Sequence, residues 1–411
     1  MPARLPVRCF LLVPRLVWRA CGDRLRFVAF LLSALALVVF VANPAGAAPS
    51  APRADAALAR SLHRLVGMPG GPAGVVAVVQ RGRRPRVFGA GVADVRTRRR
   101  IGAGDVMRIA SVSKAFSGAA ALALVARGRL SLDDTIGSRL TGFPRTWRRV
   151  TLREALQHTS GLPDYTKAPS FGAALQKAPH SQPSMRRLVS FVRHKPLVFS
   201  PGTRYAYSNT DNLIVAFMVQ AATHRSYPQA LAAQVFGPLG LHRTSLPAGF
   251  ALRSPFIHGY DYPSPAREDV SRTVSMAWLA ASGGIVSTPS DLNRFIRGYV
   301  GRRLFGRAVQ RQQLHLVRGH SEPIGPGENR AGLAIFRYRT RCGTVYGHTG
   351  NFLGYTQFAA ATLNGRRSVT VSATEQLNQD FKGQRLRVFN HLRAAEEDAV
   401  CAALAPPPGL G

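Results

Sequence analysis

The sequence predicts an α+β fold: one antiparallel sheet flanked by helices, built from both ends of the chain and interrupted by a mainly helical insertion. Three observations predict it. Residues 74–79 (Gly-Val-Val-Ala-Val-Val) form a β-branched run of the kind a buried strand needs. Residues 355–363 and 368–374 read as two strands joined across Asn364-Gly365, a strong hairpin signal. Between these ends, residues 128–285 are loop-rich and broken by many Pro and Gly, with short helical patterns at 213–222 and 227–235.

Residues 48–53, rich in Pro and Ala, are expected to be a mobile leader. Leu58, Leu62 and Leu65 then recur at i, i+4 and i+7, giving a helix with one apolar stripe. A breaker cluster at 67–72 precedes the first strand, which turns at 81–85 and returns over 86–93. The pattern becomes helical over 111–126. Late in the chain, 331–338 is expected to be one strand before Cys342, and a last helix over about 379–399 is expected to end just before Cys401. The domain boundaries that follow are a leader at 1–47, a sheet domain from 48–127 and 286–402, a helical insertion at 128–285, and a tail at 403–411.

The leader has its own logic. Six arginines lie before residue 27, offset by Asp23, and residues 27–42 are apolar except for Ser33. Pro44 breaks that run, and Ala45-Gly46-Ala47 supplies the small-x-small pattern of a cleavage site. Sixteen residues are short for a spanning helix of about 20. A cleaved export signal ending at Ala47 is therefore expected, with an N-terminal membrane anchor as the alternative. Cys9 and Cys21 would leave with the signal, and Cys342 and Cys401 would remain. In an exported protein that pair is expected to form a disulfide worth about 3–4 kcal/mol by chain entropy; two separate buried thiols are the alternative.

Composition excludes more than it selects. With 46% hydrophobic and 18% charged residues the chain is neither disordered nor polytopic. Lys and Arg number 55 against 20 Asp and Glu, for a formal charge of +35, and cleavage after Ala47 would leave +30. Only five of the basic residues are lysines, and the arginines are spread along the whole chain, so compositional bias accounts for the charge better than a nucleic-acid stripe does. Anionic wall polymers are the partner such a surface would suit, and a monomer is expected. The His and Cys spacings contain no zinc pattern.

Three short segments carry chemistry. Ser111 and Lys114 lie one helical turn apart at a helix start, where a buried lysine can lose its proton and serve the serine as base. Tyr207-Ser208-Asn209 supplies a phenol able to move a proton and an amide able to hold an acyl carbonyl. His348-Thr349-Gly350 sits on a strand, where glycine allows close approach of a substrate backbone and the other two side chains can touch an anionic substrate end. Each segment alone has an ordinary account: a capping serine with a solvated lysine, a polar loop, a strand-end histidine with a turn glycine.

In this order the three segments resemble the boxes of the penicillin-recognising serine hydrolases: class C β-lactamases, secreted D-alanyl-D-alanine carboxypeptidases and their esterase relatives. The flanking runs at 156–165, 199–202, 238–241 and 282–292 are similar as well, so the likeness covers about 55–402. The resemblance implies a β-lactamase/transpeptidase-like fold with the site between its two parts. It implies acylation of Ser111, proton work shared by Lys114 and Tyr207, an acyl group positioned by Asn209, and an oxyanion hole from the backbone N–H groups of Ser111 and Asn351. No cofactor is implied. His348 and the Cys342/Cys401 pair resemble the secreted carboxypeptidase branch. Arg337, Arg339 and Arg341 alternate before Cys342, and Arg337 or Arg339 is nominated to clamp the terminal carboxylate, the alternative being a strand edge blunted by charge. The activity expected is an exported D-alanyl-D-alanine carboxypeptidase acting on cell-wall peptides and acylated by β-lactams. A β-lactamase or esterase on the same scaffold is one alternative, and a penicillin-binding sensor or wall-binding protein with little turnover is another.

Overall fold

The computed structural model describes residues 50–261 and 267–406; the leader at 1–47 and the end of the tail lie outside the described residues. The centre is a nine-stranded antiparallel sheet. Its strands are β1 (Gly74–Gln80), β2 (Arg86–Asp94), β3 (Arg99–Arg100), β4 (Val317–Arg318), β5 (Glu328–Gly332), β6 (Ile335–Thr340), β7 (Gly343–Phe352), β8 (Tyr355–Ala361) and β9 (Ser368–Ala373). Their order is β3-β2-β1-β9-β8-β7-β6-β5-β4, so the first strands meet the last ones at the sheet's centre. β1 pairs with β9 from Val75↔Ala373 to Gln80↔Ser368.

The all-apolar pattern of β1 has a direct cause: both faces of the sheet are covered. Val75, Ala77 and Val79 pack against helices α1 (Ala51–Gly67) and α5 (Gly383–Leu404). Val76 faces the other way, into a core shared with α2 (Ser113–Ala126), α3 (Asn209–Thr223) and α4 (Pro289–Val300). A strand with helices on both sides has no polar face to alternate with. The helical middle of the chain therefore shares its core with one sheet face, and the described residues cluster as one compact unit.

Four expectations change. Residues 51–53 are the first turn of α1, with Pro52 in the first turn where its missing N–H costs nothing, so they are not a mobile leader. The single strand expected at 331–338 is a hairpin of β5 and β6, turning at Leu333-Ala334 with Ala334 in the left-handed region (φ 51°). Nothing in that turn's composition marks it, because the conformation is one that glycine or asparagine usually supplies. The last helix continues through Cys401 to Leu404, two residues into the expected tail. Ser111 lies in a 3-10 turn (Ala110–Val112) ahead of α2 rather than in the helix itself. The hairpin across Asn364-Gly365 is present, with Ala361 opposite Ser368 and Gly365 at φ 66°.

Cys342 and Cys401 are bridged, tying the turn between β6 and β7 to the last turns of α5 across 59 residues. Replacing both by Ser is expected to lower stability by about 3–4 kcal/mol, seen as a lower denaturant midpoint of the oxidised wild type's variant. Equal midpoints for the two proteins would show that the bridge contributes nothing.

Candidate active site

Ser111 is presented by constrained backbone. Met107–Arg108 pairs with Val286–Ser287, Ala110 adopts a positive φ of 47°, and the 3-10 turn then feeds α2. The turn rests directly on β7. A Cβ on Gly350 would lie 2.7 Å from the Ser111 nitrogen and 2.8 Å from the Ile109 oxygen, so glycine is required there by the protein's own backbone. The sequence pattern assigned that close approach to a substrate; the structure assigns it to the nucleophile's own turn.

Lys114 is fully buried, and its Nζ donates toward three oxygens: Ser111 Oγ at 3.1 Å, Asn209 Oδ1 at 2.7 Å and the Ser282 carbonyl at 2.8 Å. Burial lowers its pKa to about 7, opposed by the negative charges of Asp164, Glu322 and Asp211. A neutral amine has two hydrogens and one lone pair. With the hydrogens taken by Asn209 and Ser282, the lone pair is left for the Ser111 hydroxyl. Asn209, at the start of α3, is itself fixed at both ends, because its Nδ2 donates to Asp164 Oδ2 (3.0 Å) and Thr166 Oγ1 (3.1 Å). Its observed work is to orient Lys114.

Tyr207 lies beside them, with Lys114 Nζ 4.9 Å from its ring centroid. Its buried hydroxyl has no partner within hydrogen-bond distance among the described residues, Ser111 being the side chain that influences it. Burial pushes the phenol well above its usual range, with Ser111 the side chain pulling it back, so it stays protonated. Behind it lies the His158 ring, 4.4 Å away between centroids. His158 ends a short helix (Leu152–Gln157) that starts with a Thr151/Glu154 capping box, and it takes a left-handed conformation (φ 58°) that turns its ring inward. His158 Nδ1 is 2.8 Å from Asp211 Oδ2, and Ser160 Oγ donates to the same carboxyl group. Burial drives the histidine pKa down to about 3 and pushes that of the aspartate up, and the hydrogen-bonded pair supports the Tyr207 ring from behind.

These groups open on a cavity of about 210 Å³ lined by Ala110, Ser111, Thr166, Phe171, Tyr207, Asn209, Leu279, Ser282, Gly283, Glu322, Asn351 and Phe352. Ser111, Lys114, Tyr207, Asn209, Gly350 and Asn351 are thus brought together. His348 and Thr349 are not at the cavity wall. His348 is fully buried with Nδ1 on the Thr349 carbonyl, and Thr349 Oγ1 donates to the Pro323 carbonyl at 2.6 Å. The arginine clamp is also displaced. Register places Arg339 opposite Glu328 of β5, Arg337 Nη2 bonds Glu328 Oε1 at 3.0 Å, and neither arginine lines the cavity. An acid on the neighbouring strand has taken up the charge that periodicity alone left free.

Asp164, Thr166, Ser282, Glu322 and the His158–Asp211 pair were not assigned roles from sequence. Asp164, His158 and Ser282 lie within the runs 156–165 and 282–292, where likeness singled out the segments but not the function of any residue. Glu322 sits between breakers and carries no pattern at all.

Gly350→Ala is expected to slow acylation of Ser111 by an active-site probe by about 10²-fold while the circular dichroism spectrum is retained, since a displaced nucleophile loses its geometry first. An unchanged rate would show that β7 can retreat.

The Beta-lactamase family model matches residues 62–393. Penicillin-binding protein 4* of Bacillus subtilis is 24% identical over 319 residues, covering 74% of this chain and 68% of that protein. The D-aminopeptidase of Brucella anthropi is 34% identical over 206 residues, 49% of this chain but only 37% of that enzyme. A D-stereospecific amidohydrolase from a Streptomyces species superposes with a TM-score of 0.70 at 27% identity, over 81% of this chain and 97% of that one. The family match spans the sheet, the helices and the whole Ser111 cluster, and the chain belongs to the β-lactamase family of serine hydrolases.

Proposed function

We propose that the protein is a serine amidohydrolase that cleaves amide or peptide bonds of D-amino-acid substrates through an acyl-enzyme on Ser111. One observation carries this: Lys114 is dry, its two other acceptors are fixed, and its remaining valence points at Ser111 Oγ 3.1 Å away. Neutral Lys114 takes the hydroxyl proton as Ser111 Oγ bonds to the substrate carbonyl carbon. The Tyr207 phenol, protonated and without a partner within hydrogen-bond distance among the described residues, is positioned to hand a proton to the departing nitrogen and is recharged from Lys114. Water then hydrolyses the ester and restores Ser111. The backbone N–H groups of Ser111 and Asn351, which both border the cavity, are the candidate oxyanion donors.

The choice of D-amino-acid amides is supported by the relatives, among them the D-aminopeptidase and the D-stereospecific amidohydrolase. Peptides ending in D-alanyl-D-alanine fall within that class, and a penicillin-binding relative favours keeping them in it. A strict carboxypeptidase would need a cation for the terminal carboxylate, and Arg337 and Arg339 are engaged elsewhere or outside the cavity. Export remains part of the proposal, on the strength of the basic lead, the apolar run and Ala47.

The test is a panel: D-alanine release from a diacetyl-lysyl-D-alanyl-D-alanine peptide, ammonia release from D-amino-acid amides, and turnover of a chromogenic cephalosporin and an aryl ester, each beside Ser111→Ala. Amide turnover that falls at least 10³-fold in the variant is expected; ester or cephalosporin turnover alone would move the protein to another branch. The pH profile follows from Lys114. Its neutral form is the active one and its pKa is lowered to about 7, so kcat/KM should rise tenfold per pH unit below 7 and level off above it. Lys114→Met should lose at least 10³-fold in rate together with that acid limb; a limb that survives would belong to another group.

A further inference from the structure

The cavity around Ser111 has a charge pattern opposite to that of the molecule that surrounds it. The chain holds 55 Lys and Arg against 20 Asp and Glu, yet the residues lining this cavity include no arginine and no lysine, Lys114 standing behind Ser111 and Asn209. Glu322 is the carboxylate among them, and it faces the same space as Ser111.

Glu322 is held on a stiff loop between β4 and β5. The Pro323 carbonyl that follows it accepts from Thr349 Oγ1 (2.6 Å) and Ser321 Oγ (3.0 Å), while Gly325 N–H donates to Ser321 Oγ and Asn329 Oδ1 (both 3.2 Å). The side chain itself is half-buried, and among the described residues it has no hydrogen bond and no ion pair. Lys167 and His320, the cations that act on it most, are exposed and do not close on it. Burial raises its pKa, the sign of a charge that has lost water without gaining a partner. Asp164, bonded to Asn209, adds a second negative charge nearby. An arriving carboxylate would be opposed by both acids, whereas an arriving ammonium would find a desolvated, pre-positioned acceptor. Phe171, Leu279 and Phe352 add apolar wall beside the uncharged polar lining, and about 210 Å³ has room for roughly one aminoacyl residue.

We propose that Glu322 is the residue that selects substrate, binding a cationic nitrogen on the acyl residue, so that D-aminoacyl amides with an unblocked amine are preferred over blocked or anionic ones. This rests on the amidohydrolase reading above, and the shared chemistry, an ammonium group, can belong to the α-amine or to a side chain.

The experiment compares three p-nitroanilides, of D-alanine, N-acetyl-D-alanine and Nα-acetyl-D-lysine, with wild type, Glu322→Gln and Glu322→Asp. The wild type should favour free D-alanine over its N-acetyl form by at least tenfold in kcat/KM, and the lysine derivative shows whether a side-chain amine serves instead. In Glu322→Gln the preference should fall to within about threefold, through KM rather than kcat, and Glu322→Asp should restore part of it. A wild-type ratio of one or less for both amines, or a ratio unchanged in Glu322→Gln, overturns the proposal. Labelling of Ser111 by a fluorophosphonate shows that each variant is folded; if Glu322→Gln does not fold, the wild-type ratios decide. The same series as thioesters separates the two readings. Thioester turnover with the ammonium preference but no anilide turnover would defeat the amidohydrolase reading and uphold Glu322, and anilide turnover without preference would do the reverse.

Discussion

A lysine ammonium without water is the constraint from which the site is built. Lys114 comes from α2, its carbonyl partner from the segment around Ser282 and its amide partner from the start of α3, so three separate stretches must meet for its nitrogen to be satisfied. Burying such a group unpaired would cost several kcal/mol. The protein meets that cost with two fixed acceptors and with acids set back from direct contact, which hold the pKa near 7 rather than letting it fall further. Placing Asp164 one residue away, through Asn209, keeps the charge felt but prevents a salt bridge that would lock the proton on.

The support beneath Tyr207 follows a different principle. His158 and Asp211 are buried and hydrogen-bonded to each other, and with Ser160 on the same carboxyl group they make a rigid polar floor beneath the Tyr207 ring. Burial, with Glu322 and Asp164 nearby, leaves the tyrosine phenol high in pKa and protonated, which suits a donor. Two neighbouring groups are thereby pushed apart in acidity by environment, the lysine down and the phenol up, a separation that acid–base chemistry at one carbonyl requires.

Much of this was legible in the sequence where local chemistry determines structure. The apolar run of β1 and the Asn364-Gly365 turn are local signals, and Ser111 with Lys114 one turn on is a helix-spacing argument. Grouping them with Tyr207 and Asn209 needed the resemblance, since nothing in the spacing of residues 111 and 207 says that they touch. What stayed hidden was set by neighbours distant in sequence or by unmarked backbone. Ala334 turns a hairpin without a turn residue. Arg337 is neutralised by Glu328 across a strand pair that had been read as one strand. His348 and Thr349 looked like a binding surface because a strand pattern does not reveal that Pro323, on the loop between β4 and β5, and the Phe336 ring of β6 close on them.

The meeting of the chain's two ends at β1 and β9 has a consequence in time. Val75 pairs with Ala373, and Gly350 must lie against Ser111 before the nucleophile's turn has anything to rest on. Contacts of such long range close slowly, because the intervening loop must lose its freedom first. A ribosome that has made residues 1–300 has therefore produced the serine, the lysine, the tyrosine and the asparagine, but not the strand on which the serine's turn rests. Catalysis arrives only after the last strands are made, and a chain that lacks them remains inert until then.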